Sequence, residues 1–262
     1  MKTEVKKMKT GWIVFLIIVT CMFQPGCDIR NYVYTDSSLK WVAQRSLKKK
    51  YGEEFVIYRV WDKSQKMFFA TCSPKDDPEV VFEGYFYKTG DNGGVIKDGY
   101  AQGVVAKEVN DILKNDIQEL FGGCYTHSVI LNYINVPEFK NSKEVTIREY
   151  MSKVNLDNIV YYIFVPLAAE SEDKINNEYE LFSKTIQSKI ENGIIPDLSV
   201  HIFFADNEMI KQCEEYYSTQ VYIYYDFGRE LDDCESINFK YENGIMDMDY
   251  AEYENLRKTL YK

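Results

Sequence analysis

Three consecutive segments, Ile159–Val165, Glu170–Asn192 and Leu198–Phe204, constrain the fold more than any other part of the chain. The first and third read IVYYIFV and LSVHIFF, β-branched and aromatic runs of strand length. Between them Ile175, Tyr179, Phe182, Ile186 and Ile190 recur at three- and four-residue spacing. That spacing predicts a helix with one apolar face, ended by Asn192-Gly193. Two strands joined by such a helix call for a right-handed crossover. Ser128–Tyr133 reads as an earlier strand, Val145–Val154 as a short helix, Asn207–Tyr217 as another and Val221–Phe227 as a last strand. The tail from Tyr250 to Tyr261 reads as a final helix. This alternation predicts a small sheet with helices on one side.

The preceding residues follow a different pattern. Ser37 or Ser38 caps a predicted helix that runs to Tyr51, with Trp41, Val42, Arg45 and Leu47 on its apolar face. Lys48, Lys49 and Lys50 suit its C-terminus, and Gly52 ends it. Phe55–Trp61, Lys66–Cys72 and Glu79–Lys88 read as strands with short connections, which favours an antiparallel meander. After the turn signal at Thr89–Gly94 comes a long helix, roughly Gly99 to Leu120, stopped by Gly122-Gly123. The expected class is α+β: a three-stranded antiparallel meander with flanking helices, then a second small α/β sandwich. The expected segments are 1–27, a signal or membrane anchor; 28–36, a tether; 37–123, an α-β-β-β-α module; and 124–262, a C-terminal α/β module.

The first segment carries a cellular meaning. Lys2, Lys6, Lys7 and Lys9 precede thirteen uncharged residues, Gly11 to Phe23. A basic head before an apolar run is the layout of an export signal. The run is short of the roughly 20 apolar residues that span a bilayer comfortably. The lysines orient the amino end towards the cytoplasm, leaving the rest outside. The run closes in Gln24-Pro25-Gly26-Cys27, and here it resembles the bacterial lipoprotein signal, in which a small residue precedes the cysteine that receives lipid. The resemblance implies lipid attachment at Cys27 and residence on the extracytoplasmic face of the cell membrane. Cys21 is a rival acceptor, and an uncleaved helix ending near Phe23 is the other reading of the same run. Beyond residue 27 the chain resembles no characterised family.

Charge narrows the partners. The chain carries −10, and removal of residues 1–26, which hold four lysines and one glutamate, takes it to −13. Such acidity argues against phosphate-backbone binding, so no nucleic-acid partner is expected. It also argues against electrostatic attachment to anionic lipid and suits a soluble exported body. Cys72, Cys124, Cys213 and Cys234 remain outside the signal. They are candidate disulfides, with Cys72–Cys124 and Cys213–Cys234 favoured, or else four buried thiols.

Motifs that carry chemistry are sparse. Cys124-Tyr125-Thr126-His127 sets a thiol three residues from an imidazole, a weak candidate for nucleophilic catalysis. His201 lies between Val200 and Ile202 in a strand, and two histidines make no His-rich metal site. Asp91-Asn92-Gly93-Gly94 lacks the closing glutamate of a calcium loop and reads as a turn. Asp232-Asp233-Cys234-Glu235 and Asp247-Met248-Asp249 read as solvated acidic loops. No nucleophile elbow, phosphate-cradling glycine loop or zinc-protease helix occurs. No cofactor or metal is expected. The leading expectation is a membrane-tethered binding or interaction module for an envelope protein, a peptide or a wall polymer. The alternative is an exported hydrolase using scattered carboxylates or Cys124 with His127. Mass spectrometry of the mature protein should find an N-terminus at Cys27 carrying lipid; an unmodified Met1 or a bare Cys27 thiol would refute lipidation.

Overall fold

The computed structural model describes residues 34–62, 64, 66–88, 94–130, 139, 141–154, 159–166, 172–219 and 234–259. The chain divides into Met1–Thr35 and Asp36–Lys262. The anchor stretch and the candidate lipid acceptor Cys27 lie outside the described residues, as do positions 89–93 of the expected turn and the expected strand at 221–227. No helix among the described residues is long and apolar enough to cross a membrane.

The first sheet is built from β1 (Phe55–Asp62), β2 (Met67–Pro74), β3 (Phe82–Tyr87) and β4 (Val95–Asp98) in that order, all antiparallel. The meander is therefore one strand longer than expected, because four residues, VIKD, are too few to show a period. Helix α1 (Asp36–Tyr51) covers it through Leu39, Val42, Ala43 and Leu47. Trp41 is 56% exposed, with the Arg45 guanidinium 5.2 Å from its ring centroid. The expected apolar face thus loses Trp41 and Arg45, which cover each other at the surface.

The second sheet runs β5 (Tyr125–Ile130), β6 (Ile159–Pro166), β7 (Ser199–Ala205), β8 (Glu235–Glu242), β9 (Ile245–Met246). The β6–β7 pair is parallel and the other pairs are antiparallel. Helix α2 (Tyr100–Phe121), α3 (Ile147–Lys153) and α4 (Glu172–Glu191) join the core on one face of this sheet, with Tyr161, Ile163, Val200 and Ile202. On the other face α5 (Asn207–Tyr217) sets Ile210, Cys213 and Tyr217 against Val160, Tyr162, Phe164 and Phe203. Helices on one side only was the expectation. Because neighbouring residues of β6 are apolar in both phases of the alternation, both faces need cover.

Helix α2 ties the two sheets together. Its Tyr100 stacks on Phe82 and meets Phe55 and Tyr51 in the first core, while Val105, Val109, Leu113 and Ile117 fill the second. The expected boundary at 123/124 therefore cuts one continuous body. Helix α2 stops where Gly122 takes φ 69°, the left-handed cap that glycine adopts without strain.

The β8–β9 hairpin turns on Asn243-Gly244, at φ 54° and 76°, as a type I′ turn requires. The Asp197 carboxylate accepts from both turn amides, at 2.8 and 3.1 Å. Helix α6 (Tyr250–Thr259) is held by Arg257, which is fully buried. Its Nε and Nη2 donate to the two oxygens of buried Glu178 on α4, at 2.9 and 3.0 Å, and its guanidinium lies 4.2 Å from the Phe204 ring centroid. The Tyr253 hydroxyl donates to the same carboxylate. Removing one member of a buried pair strands the other charge, so Arg257→Met should cost about 3–5 kcal/mol in urea unfolding. The double variant Arg257→Met with Glu178→Leu should lose much less than the single one.

Candidate binding cleft between the sheets

The chain order of β5 decides the fate of the proposed Cys-His pair. Side chains alternate across a strand, so residues three apart face opposite ways. Cys124 falls in the core beneath α2, its Sγ 3.7 Å from the Ile117 carbonyl, and burial pushes its thiol up to about 12. His127 turns to the α5 side, stacked on Tyr217 with ring centroids 4.5 Å apart. Burial lowers its pKa to about 3, leaving a neutral ring. A thiolate–imidazolium pair needs both shifts reversed and the groups in contact, so this pair is not assembled.

The remaining sequence candidates have structural roles. Cys72 and Cys213 are buried and Cys234 is half-buried; with Cys124 they are thiols, so neither favoured disulfide is formed. Cys72 belongs to the first sheet and Cys124 to the second core, which separates that pair by fold. His201 sits on β7, edge-on to Tyr162 at 5.5 Å, and burial lowers its pKa. The Asp247 carboxylate accepts from Lys240 N at 2.6 Å, and Asp249 caps α6 by accepting from Glu252 N at 2.9 Å. Asp232 and Asp233 lie outside the described residues. Among the described residues no cluster of His, Cys, Asp and Glu could hold a metal ion.

What the fold does create is a cleft of about 360 Å³ between the sheets. One wall is a single face of α2, Gly103, Ala106, Lys107, Asn110 and Lys114, spaced as neighbours on a helix surface. Tyr58 and residues 78, 79 and 81 form the opposite wall, β5 the floor and Tyr217 with its following turn the end. Gly103 makes the closeness possible: a Cβ there would stand 2.9 Å from the Val81 carbonyl. Ser128 fixes β5 to α2 by donating to the Ala106 carbonyl. Four enclosed polar atoms of the lining residues, Asn110 Oδ1, Thr126 Oγ1, His127 Nε2 and Tyr217 OH, have no protein hydrogen-bond partner among the described residues. The His127 ring keeps slight solvent contact, but its Nε2 is sealed off.

A narrower space of about 30 Å³ shares the walls Val81, Gly103, Ala106, His127 and Ser128 and reaches Glu83. Burial pushes the Glu83 carboxyl up to about 7. Its cross-strand neighbour Thr71 is fully buried, with Oγ1 unpartnered. None of Glu83, Lys107, Asn110 or Tyr217 stood out in the sequence. The one available signal was the pair of small residues, Gly103 and Ala106, interrupting an otherwise apolar helix.

Residues 39–162 match the DUF5037 family model, described as a domain of unknown function. That stretch runs from α1 into β6. The chain is also similar to the crystal structure of a DUF5037 family protein from Ruminococcus gnavus ATCC 29149. That likeness covers 84% of this chain and 99% of the other, with a TM-score of 0.66 and 15% identity. At this identity the likeness speaks for the α+β fold alone. No curated protein matches the chain.

Glu83 gives a pH signature. Its carboxyl, raised from 4.5 to about 7, binds a proton more tightly in the folded than in the unfolded chain. That stabilisation is complete below about pH 4.5 and is lost as pH rises through about 7. Glu83→Gln should therefore match the parent's melting temperature near pH 4 and exceed it near pH 8. A difference that stays flat across this range would refute the raised carboxyl.

Proposed function

We propose that the protein is a membrane-tethered extracytoplasmic module that binds a ligand in the inter-sheet cleft and performs no chemistry on it. The observation that carries this reading is the cleft itself, about 360 Å³, walled by one face of α2, Tyr58, β5 and the end of α5. The cavity volume lies at the low end of the roughly 300–1,000 Å³ of small-ligand sites. Rings of Tyr125, His127 and Tyr217 supply the apolar surface.

The tether rests on the basic head, the uncharged run and Gly26-Cys27. Against a hydrolase stand the opposed placement of Cys124 and His127 and the structural employment of the acids. Glu178 pairs with Arg257, Glu108 accepts from Ile147 N at 2.8 Å, and Asp98 accepts from Tyr51 OH at 2.7 Å and from Lys50 at 2.9 Å. The ligand class is a segment of an envelope protein, a peptide or a wall polymer.

Two measurements test the reading. Cys27→Ser should move the protein from the membrane to the soluble fraction. A photoreactive residue in place of Lys114, on the cleft rim, should crosslink an envelope component in intact cells. The same residue in place of Lys240, exposed on β8, should not. Equal labelling from both positions would remove the cleft as the binding site.

A further inference from the structure

Helix α1 carries an outer stripe that the packing of the body does not use. Trp41, Arg45, Lys48 and Lys49 follow one another at steps of four, three and one, so they share one side of the helix. All four are exposed. After Asp36 the helix contains no acidic residue, and its cations are Lys40, Arg45, Lys48, Lys49 and Lys50. Two of these are committed to the body: Lys40 donates to the Tyr58 carbonyl at 2.6 Å, and Lys50 to the enclosed Asp98 carboxylate at 2.9 Å. Lys48 is shared with exposed Glu54. The Arg45 guanidinium lies over the Trp41 ring, and Lys49 has no partner among the described residues. The charge of −10 argues against lipid attraction for the chain as a whole. Attraction at a surface is local, because salt screens charges beyond about 8 Å. The α1 stripe is a basic patch on an acidic protein.

We infer that this stripe rests on the headgroups of a bilayer containing anionic phospholipid and orients the body on the membrane. This builds on the tethered reading above and names the surface that meets the lipid. Position is the first argument. Eight residues lie between Cys27 and Asp36, and a fully extended chain of that length spans at most about 30 Å, so α1 stays within reach of the anchored surface. Chemistry is the second. An indole beside Lys and Arg matches a membrane interface, where Trp rings sit at headgroup level and cations meet acidic headgroups. An anionic wall polymer offers the charge but no apolar layer for Trp41. By itself so small a patch is too weak to hold the chain, and its effect is to set orientation.

The orientation has a consequence for the cleft. Tyr51 of α1 meets Phe55, and Phe55 meets Phe82, so Phe82 points to the α1 side of the first sheet. Its neighbours Val81 and Glu83 point to the other side, where the cleft and the narrower space lie. With α1 on the lipid, the first sheet stands between the bilayer and the cleft.

The test uses the full chain on phosphatidylcholine vesicles with and without phosphatidylglycerol, at physiological salt. Flotation reports attachment, and acetylation of lysines by a water-soluble reagent, read by mass spectrometry, reports exposure. Near an anionic surface each basic residue favours contact roughly fivefold, so Arg45 and Lys49 together give about 25-fold. Acetylation of Lys49 should therefore slow about tenfold or more on the anionic vesicles. Lys184 and Lys211, exposed on α4 and α5, should keep their rates. Molar salt should remove the difference, and so should Arg45→Glu with Lys49→Glu, read at Lys48. Equal acetylation of Lys49 on the two vesicles would overturn the proposal and leave the tether standing. Protection of Lys49 in intact envelopes but not on vesicles would assign the stripe to a protein or wall polymer and sink it as a lipid surface. A chain that floats with neither vesicle would remove the tether and this surface together.

Discussion

The structure depends on one constraint, the burial of β6 on both faces. Seven of its eight residues are enclosed, Ile159, Tyr161, Ile163 and Val165 towards one core and Val160, Tyr162 and Phe164 towards the other. Full burial of such a side chain is worth roughly 1.5–3 kcal/mol, so neither face can be left open. Helices α2 and α4 answer on one side and α5 on the other. The parallel β6–β7 pair follows, because the connection through α4 returns the chain to the same end of the sheet. Strand β6 lies second in the sheet, between β5 and β7, and β5 lines the cleft.

Helix α2 serves two sheets at once, and the cleft is the consequence. Its apolar stripe is spent on the second core and its first residue on the first, which leaves a third face of small and polar residues between them. The same enclosure explains the titration behaviour around it. Glu83 rises and His127 falls for one reason, loss of water around the charged form, with no opposing charge needed. At the far side of the body, Arg257 and Glu178 pin the last helix to α4 and β7. A bidentate buried pair tolerates little displacement, so it sets where the chain's end lies more than how stable it is.

Where local signals were strong, the elements were legible. Helix α5 matches its expected span, Asn207–Tyr217, because Asp206 caps it by accepting from Met209 N at 2.8 Å and Ile210, Cys213 and Tyr217 share one face. Strand β8 is absent from the sequence expectation, although Ile237, Phe239 and Tyr241 alternate with polar Asn238 and Lys240. Acidic residues flank that stretch and give it the composition of a loop, although its turn, Asn243-Gly244, is a hairpin signal. Helical spacing places Trp41 on the apolar face, because spacing gives a face but not what lies opposite it. The cleft was illegible for the same reason. Its walls come from β1, the segment at 78–81, α2, β5 and α5, and no window of sequence contains them.

By itself the sequence determined the α+β class, the core elements of both sheets, the parallel crossover and the basic–apolar–cysteine layout of the amino end. Each of these follows from periodicity, capping or composition within a few tens of residues. Only tertiary structure decided that the two sheets share helix α2, that Cys124 and His127 stand on opposite faces, that the four body cysteines are thiols, and that α2 and β5 line one cleft. These depend on which surfaces meet at long range, and burial, unlike local propensity, is a property of the partner as much as of the residue.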